Sequence, residues 1–504
     1  MGILAENSHN WGVVYFAVVR LGAVAVPILP DASEADVHQI LHEMKIKVLF
    51  TTQRQIEKIY ELKRNQLTRI ITLDDYNCLL GVVETNTFSE MLARAMEDHH
   101  QEEGAGTSFP DVDEDDPASV IYTSGTSGYP RAVVLSHKNL TANVYSAAEH
   151  IDFEPGAGFL SILPLANTYE FTCGFLLPLL KGGRIIYAGK TPTPVILQKL
   201  CRKERPFAIF VVPLIVEKIY KKRIVPRIEN SKPFSLACRT KIGRRLIHKK
   251  LGAELMDFFG GDLQVLGIGG VRLNREVECF LAEAGFPYLV GYGLTETSPL
   301  ISGGPVGDDT IVMGSCGKPM ANVEVRIVPE NRDDERGEIQ VRGPNVMQGY
   351  YRDDQATRKV LAADGWLSTG DLGMIDGAGN LHVHGRVENL IELEDGTTIS
   401  PESIEQRINS FPWVVESLVV ESHGQLDGWV YPDYEMIDEK TVGQTRSMRH
   451  EYIKTLLKNL CADLNEGIPE NKRLVHVFER REPFMKTATH KIKRYLYTSQ
   501  TMSG

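Results

Sequence analysis

Cysteine is scarce: seven in 504 residues, at Cys78, Cys173, Cys201, Cys238, Cys279, Cys316 and Cys461. They are far apart, odd in number and never arranged as C-x-x-C. That excludes a disulfide-stapled scaffold and argues against a cysteine metal or redox cluster. Reduced thiols in a cytoplasmic protein are the plain reading. Positive charge is also short. Lys+Arg number 55 against 66 Asp+Glu, a formal net charge of −11. This argues against a general nucleic-acid binder, whose phosphate contacts need clustered Lys and Arg. Long hydrophobic runs are missing too. The most apolar stretch, Phe159 to Leu180, is broken by Pro164, Asn167, Glu170 and Pro178, which makes a poor spanning helix. No basic segment precedes an apolar core at the start, so no signal peptide is read. The expectation is a soluble cytoplasmic protein, with a peripheral contact to a membrane surface left open.

Hydrophobic residues make up 42% and charged residues 24%, an ordinary globular balance that excludes a disordered or collagen-like chain. The length allows a large core. Helical and strand patterns alternate through the first two thirds. Ser8 is placed to cap a helix carrying Trp11, Val14, Tyr15 and Val18 at helical spacing, and a short strand follows in "AVAVPI". Ser33 opens a second helix before the strand "KVLFTT". Further strands read at "AIFVV", "LQVLGI" and "PYLV". Helices between short β-branched runs mean βαβ units and a mostly parallel sheet. From about Asn322 short strands and turns dominate, and beyond Arg386 a compact α+β pattern begins. A basic segment, Lys218 to Lys250, fits either an attraction for an anionic ligand or lipid surface, or a solvated helical face.

The chemistry-bearing stretches stand apart from this background. "YTSGTSGYPR", Tyr122 to Arg131, gathers hydroxyls and glycines between a strand and the helix opening near Ser136. Small residues let backbone N–H groups approach an anion, and a strand–loop–helix order makes a phosphate site. No Gly-Lys-Ser/Thr closes it, so it is not a P-loop. "GYGLTETSP" brings Tyr292, Thr295 and Glu296 to a strand end, where α/β sheets bind ligands. There an aromatic ring suits adenine, a hydroxyl the α-phosphate and a carboxylate Mg²⁺. "GWLSTGDLG" carries Asp371, "GRVENLIELEDGTTISPESIE" starts with Gly385 and Arg386, and "TATHKIKR" carries Lys491.

Together, in this order, these segments resemble the adenylate-forming (AMP-binding) enzymes, in particular the bacterial long-chain fatty acyl-CoA synthetases. The resemblance covers nearly the whole chain. It implies an α/β fold: a large N-terminal domain of layered α/β subdomains over residues 1–385, its β-rich subdomain about 322–385, and a small mobile α+β C-terminal domain over 386–504. The implied reaction activates a carboxylate with ATP as an acyl-adenylate and passes the acyl group to coenzyme A. An acyl carrier protein as acceptor, or a non-catalytic nucleotide- or lipid-binding homologue, are the alternatives.

Carried over position by position, the resemblance implies Lys491, Thr295 and Glu296 as catalytic. Thr123, Ser124, Gly125, Thr126, Ser127, Gly128 and Arg131 would hold the phosphates. Gly270 and Val271 would lie along the adenine, with Tyr292 and Gly293 beside the nucleotide. Asp371 would hold the ribose hydroxyls and Arg386 would contact the nucleotide. Asn167, Tyr169 and Gly291 would line the substrate pocket, Glu388 would be the hinge, and Thr126 and Glu296 would serve Mg²⁺. The segment "LPLANTYEFTCGFLLPLLKGG" resembles the acyl-pocket lining of the long-chain branch, and its Phe171–Leu180 part also reads as a buried core helix. Departures are Arg131-Ala132 for the usual Lys-Gly, Asn167 for His and Asn389 for Asp. The resemblance also implies a start roughly 40–60 residues shorter than in typical members, against domains of ~100–200 residues.

Overall fold

The computed structural model describes residues 1–59, 67–74, 78–80, 93, 96–97, 109–123, 130–329, 335–393, 396, 398–469, 472–487 and 491–497. Ser8 accepts a hydrogen bond from the Trp11 amide and opens the helix His9–Arg20, whose Trp11, Val14, Tyr15 and Val18 are buried. Ser33 does the same for Glu34–Glu43 through the Asp36 amide. Between and after these helices, short strands build a five-stranded sheet in the order Val26–Ile28, Gly2–Leu4, Val48–Thr51, Arg69–Thr72, Cys78–Leu80. Its first four strands are parallel and the last is antiparallel.

A second sheet of five strands runs Tyr288–Val290, Val265–Ile268, Ala208–Val211, Gly158–Ser161, Arg184–Tyr187, all parallel. The strands Gly158–Ser161, Ala208–Val211 and Val265–Ile268 are buried throughout, as the continuous apolar runs of a covered parallel sheet require. The α/β reading therefore holds. The region after Asn322 folds as a four-stranded antiparallel sheet, Glu324–Val328, Gly337–Arg342, Leu367–Ile375, Leu381–Arg386. Alternate residues of Gly337–Arg342 point inward, with Ile339 and Val341 buried.

Two local readings change. The loop after Pro117–Tyr122 does not lead straight into a helix. It returns as the antiparallel strand Ala132–Ser136, and the helix His137–His150 begins only after that, capped by Ser136. The β-branched Val133 and Val134 pair across to Ile121 and Val120, so the hairpin wins over a direct helix start. The Phe171–Leu180 stretch is not a plain α-helix either. Glu170–Leu176 is a wide π-helical turn followed by the short helix Leu177–Leu180. Phe171 and Phe175 pack on Trp11 at ring-centroid distances of 5.9 and 6.0 Å. Gly12 makes this seam possible, since a Cβ there would lie 2.7 Å from the Phe175 ring. Burying rings of this size contributes ~1.5–3 kcal/mol each.

The C-terminal segment gathers its own apolar cluster, including Ile408, Val430, Leu460 and Leu474. It forms where the helices Pro401–Asn409 and Arg446–Asn465 cover the sheet Val414–Ser422, Gln425–Pro432, Leu474–Glu479. Pro401 stands at the first turn of its helix as read, but Ser400 does not cap it. Its hydroxyl donates to the His384 carbonyl at 3.1 Å instead, tying this helix to the preceding sheet. Among the described residues no helix is long and apolar enough to cross a membrane.

Candidate active site

The strand Val265–Ile268 ends at Gly269-Gly270, and Tyr288–Val290 ends at Gly291-Tyr292. Both run out on the carboxyl edge of the parallel sheet, the edge where open α/β folds take ligands. Gly270 has φ +95°, a conformation that suits glycine, and the following Val271 is 58% exposed. Tyr292 and Gly293 turn back against Leu300–Ser302. A Cβ on Gly293 would collide with the Pro299 carbonyl, so this turn admits only glycine. Gly291 is looser, its nearest would-be contacts being Leu300 and Ser302 at 3.7 Å.

The loop Thr295–Thr297 is held by buried amides rather than by apolar packing. Asn143 exchanges hydrogen bonds with both backbone groups of Leu300 at 2.8 and 3.0 Å. Asn345 donates to the carbonyls of Thr297 and Leu300, each at 3.0 Å. Buried side-chain amides bonded to main-chain groups in this way fix a loop without regular structure, although the Asn345 amide oxygen itself has no partner among the described residues. They present Thr295 and Glu296 to the crevice. The Glu296 carboxylate accepts from the Tyr350 hydroxyl at 2.9 Å, and the Arg131 guanidinium lies over the Tyr350 ring at 5.1 Å.

Arg131 also closes the base of the hydroxyl-rich loop. Its carbonyl accepts from the Thr123 amide at 2.9 Å and its amide donates to the Thr123 hydroxyl at 3.0 Å. Ser124, Gly125, Thr126, Ser127 and Gly128 lie outside the described residues. Tyr350, in the strand Gly349–Tyr350, was not singled out from the sequence. Its only cue there is the doublet "GYY", which carries no chemistry on its own.

On the opposite wall, Asp371 on the strand Leu367–Ile375 is buried. The Tyr292 hydroxyl donates to one of its oxygens at 2.8 Å, and Arg386 Nε meets the other at 2.9 Å. Each oxygen keeps a further lone pair for a ligand hydroxyl. Burial raises the Asp371 pKa above the usual carboxylate range, against the pull of Arg386. Arg386 reaches on to Glu388 at 3.4 Å, and Glu388 is exposed in the short turn Val387–Asn389.

Lys491 comes from the far end of the chain. Its backbone is paired with Thr487, whose amide donates to the Lys491 carbonyl at 2.8 Å. Burial lowers the Lys491 pKa, and Arg386 lowers it further, while Asp371 and Glu296 pull it back up. Four predicted residues from four separate segments thus share one electrostatic environment.

Of the residues expected to line the substrate pocket, Gly291 directly precedes Tyr292, while Asn167 and Tyr169 stand just before the π-helical turn. The Asn167 side chain accepts from the Tyr169 amide at 2.9 Å and so shapes the entry to the π-helical turn. Tyr169 packs against Phe210 and over the sheet edge, where a Cβ on Gly269 would lie 3.0 Å from its ring. Gly267 and Gly269 thereby leave room for Tyr169, a role not read from the sequence. Phe171 and Phe175 face Trp11 and belong to the core, as one of the two readings had it.

The group set fits a nucleotide: a carboxylate with spare lone pairs, two cations and a turn restricted to glycine. One carboxylate, Glu296, is what Mg²⁺ needs when it arrives on phosphates, since that ion is bound by one or two carboxylates plus substrate oxygens and water. Among the described residues no group of three His, Cys, Asp or Glu side chains forms a separate metal cage.

Residues 1–351 match the AMP-binding enzyme family. The chain belongs to that family. Among relatives of this AMP-binding enzyme, the Arabidopsis thaliana peroxisomal long chain acyl-CoA synthetase 7 is 30% identical over 80% of this chain. The chain spans 60% of that relative's length. The 4-coumarate–CoA ligase 3 of Oryza sativa subsp. japonica is 27% identical over 85% of this chain and 71% of its own. Of solved structures, ATP-bound MatB from Rhodopseudomonas palustris superposes with a TM-score of 0.72 at 22% identity. That match covers 98% of this chain and 87% of MatB, and it supports the fold.

Proposed function

We propose that this AMP-binding enzyme activates a fatty acid with ATP and transfers the acyl group to coenzyme A. Asp371 held between Tyr292 and Arg386, with Lys491 and Glu296 in electrostatic reach, carries the reading. This set gathers two cations and two carboxylates at a sheet edge in a protein of net charge −11. In the first step a carboxylate oxygen attacks the α-phosphorus of ATP, the bond to the bridging oxygen breaks, and pyrophosphate leaves. Lys491 and the donors at the base of the Thr123–Arg131 loop stabilise the negative charge that builds on the phosphoryl oxygens. Asp371 orients the ribose, and Tyr292 and Arg386 hold Asp371 in place. Mg²⁺ on Glu296 would screen the phosphates. In the second step a thiol attacks the acyl carbonyl, AMP departs and the thiol proton passes to solvent.

The two steps need different surroundings in one crevice. Residues 386–504 rotate against 1–385 about Glu388, whose exposed turn leaves it free to absorb dihedral change. The separate apolar cluster of the C-terminal segment supports this division, since it is kept intact through a rigid-body motion. Asn167, Tyr169 and Gly291 line the acyl side, where each buried CH₂ contributes ~0.8 kcal/mol.

Exchange of labelled pyrophosphate into ATP across acids from acetate to palmitate tests this. Exchange supported best by medium or long chains is the expected outcome. A folded protein that supports exchange with none of them is instead a non-catalytic nucleotide- or lipid-binding homologue. Adding coenzyme A or an acyl carrier protein then assigns the acceptor.

A further inference from the structure

The helix Lys241–Phe258 has an unusual outer face. Its inner side is fixed in the core by His248, Leu251, Leu255 and Phe258. On the outside Ile242 is 78% exposed and Leu246, one turn on, 63%. Leu236, on the preceding helix Lys232–Ala237, is 65% exposed. Single exposed aliphatics are ordinary, but three within eleven residues need a reason.

The charge around them is one-sided. From Asn230 to Ala253 there are seven Lys and Arg and no Asp or Glu, in a protein whose total is −11. Glu229, one residue before this stretch, is exposed, and three other acidic groups nearby are already paired. Glu283 is paired with Arg244, Glu254 with Arg227 at 3.2 Å, and Asp257 with Arg202 at 2.8 Å. Arg245 and Lys249 are exposed, flank Ile242 and Leu246 at helical spacing, and form no ion pair among the described residues.

We propose that this face, centred on Leu236, Ile242, Arg245, Leu246 and Lys249, docks on the surface of an anionic lipid bilayer. Cations interleaved with aliphatic tips on a helix whose other side is buried match an interface where anionic headgroups lie above acyl chains. Nucleic acid offers nothing for the aliphatic side chains. It would call instead for exposed rings, and Phe234, the aromatic of this stretch, is partly buried under the Lys250 ammonium at 5.1 Å. The docking does not depend on the reaction proposed above.

Co-sedimentation with vesicles of phosphatidylcholine alone, and of phosphatidylcholine with phosphatidylserine, tests it on the full chain. Binding is expected to the serine-containing vesicles and to weaken with salt. The double variant Arg245→Glu/Lys249→Glu should bind them at least about tenfold more weakly. Ile242→Ser/Leu246→Ser should weaken binding less and make the remainder fully salt-sensitive. Thermal melts followed by circular dichroism identify any variant that fails to fold, and the salt dependence of the unaltered protein needs no variant. The proposal is overturned if the protein ignores both vesicle types, if the charge-reversed variant binds like the parent, or if the face retains an acidic soluble protein while vesicles go unbound.

Discussion

Two of the places where the C-terminal segment faces the rest of the molecule differ in their chemistry. At the crevice, Lys491 feels the charges of Arg386, Asp371 and Glu296, so what meets there is charge of both signs acting beyond ion-pair distance. At the far side, Lys221 Nζ donates to the main-chain carbonyls of Asn409 at 3.1 Å and Val414 at 2.8 Å. Gln406 adds a bond to the Leu273 carbonyl at 2.8 Å, and Lys222 meets Glu435 at 3.2 Å. The first contact is conditional, because it includes a repulsion that an anionic ligand would relieve. The second needs no ligand. It favours this relative placement with the site empty. One end of the C-terminal segment is thus arranged to respond to the nucleotide and the other to hold the pose.

The largest test of this contrast is Lys491→Ala. Adenylation should fall by about 10²–10³, the scale of a lost charge-stabilising donor. Thiolation from a preformed acyl-adenylate should stay within about twofold. Single-turnover assays of each step separate the two, and an equal loss would remove the special role of Lys491. Next comes Lys221→Met, which keeps the aliphatic stem but leaves two carbonyls without their donor. Hydrogen bonds to a charged group contribute ~1.5–3 kcal/mol, so adenylation should drop about tenfold or more. Thiolation should hold or rise. Parallel declines in both steps would make Lys221 a purely structural lysine.

A smaller effect is expected for Tyr350→Phe. It takes from the Glu296 carboxylate the hydrogen bond donated by the Tyr350 hydroxyl, which should raise KM for Mg-ATP about fivefold with little change in kcat. The smallest test is a displacement in pH. If adenylation needs charged Lys491, activity is lost as pH rises through its pKa. Burial and Arg386 lower that pKa, so the alkaline limb of kcat/KM for ATP should lie below the ordinary lysine value of about 10.4. Lys491→Arg should push the limb upward, since guanidinium stays charged throughout. A limb that stays put in the variant would assign it to another group.

The sequence carried the α/β alternation because apolar periodicity is local. It also carried the chemical identity of the crevice residues, because hydroxyls, carboxylates and lysines in short motifs are visible as letters. Their convergence is a different matter. Tyr292 and Asp371 are 79 residues apart, and it took the sheet edge and the four-stranded sheet to bring them to 2.8 Å. Lys221 could not be read at all. Its partners are carbonyls, which every residue possesses, at separations of 188 and 193. The π-helical turn escaped for a related reason. A buried apolar run shows no periodicity by which a wide turn differs from an α-helix. The hairpin after Tyr122 was missed because a helix cap at Ser136 is compatible with whatever precedes it.

Gly12 and the Phe175 ring have a mechanical consequence. Close-packed interiors transmit strain, and here nothing separates the first helix from the π-helical turn. A methyl group at position 12 would act as a shim. It would push Phe175, and with it the short helical turn that begins just after Tyr169. A change of one carbon, remote in sequence from every motif, would thus be felt where Tyr169 packs over the sheet edge.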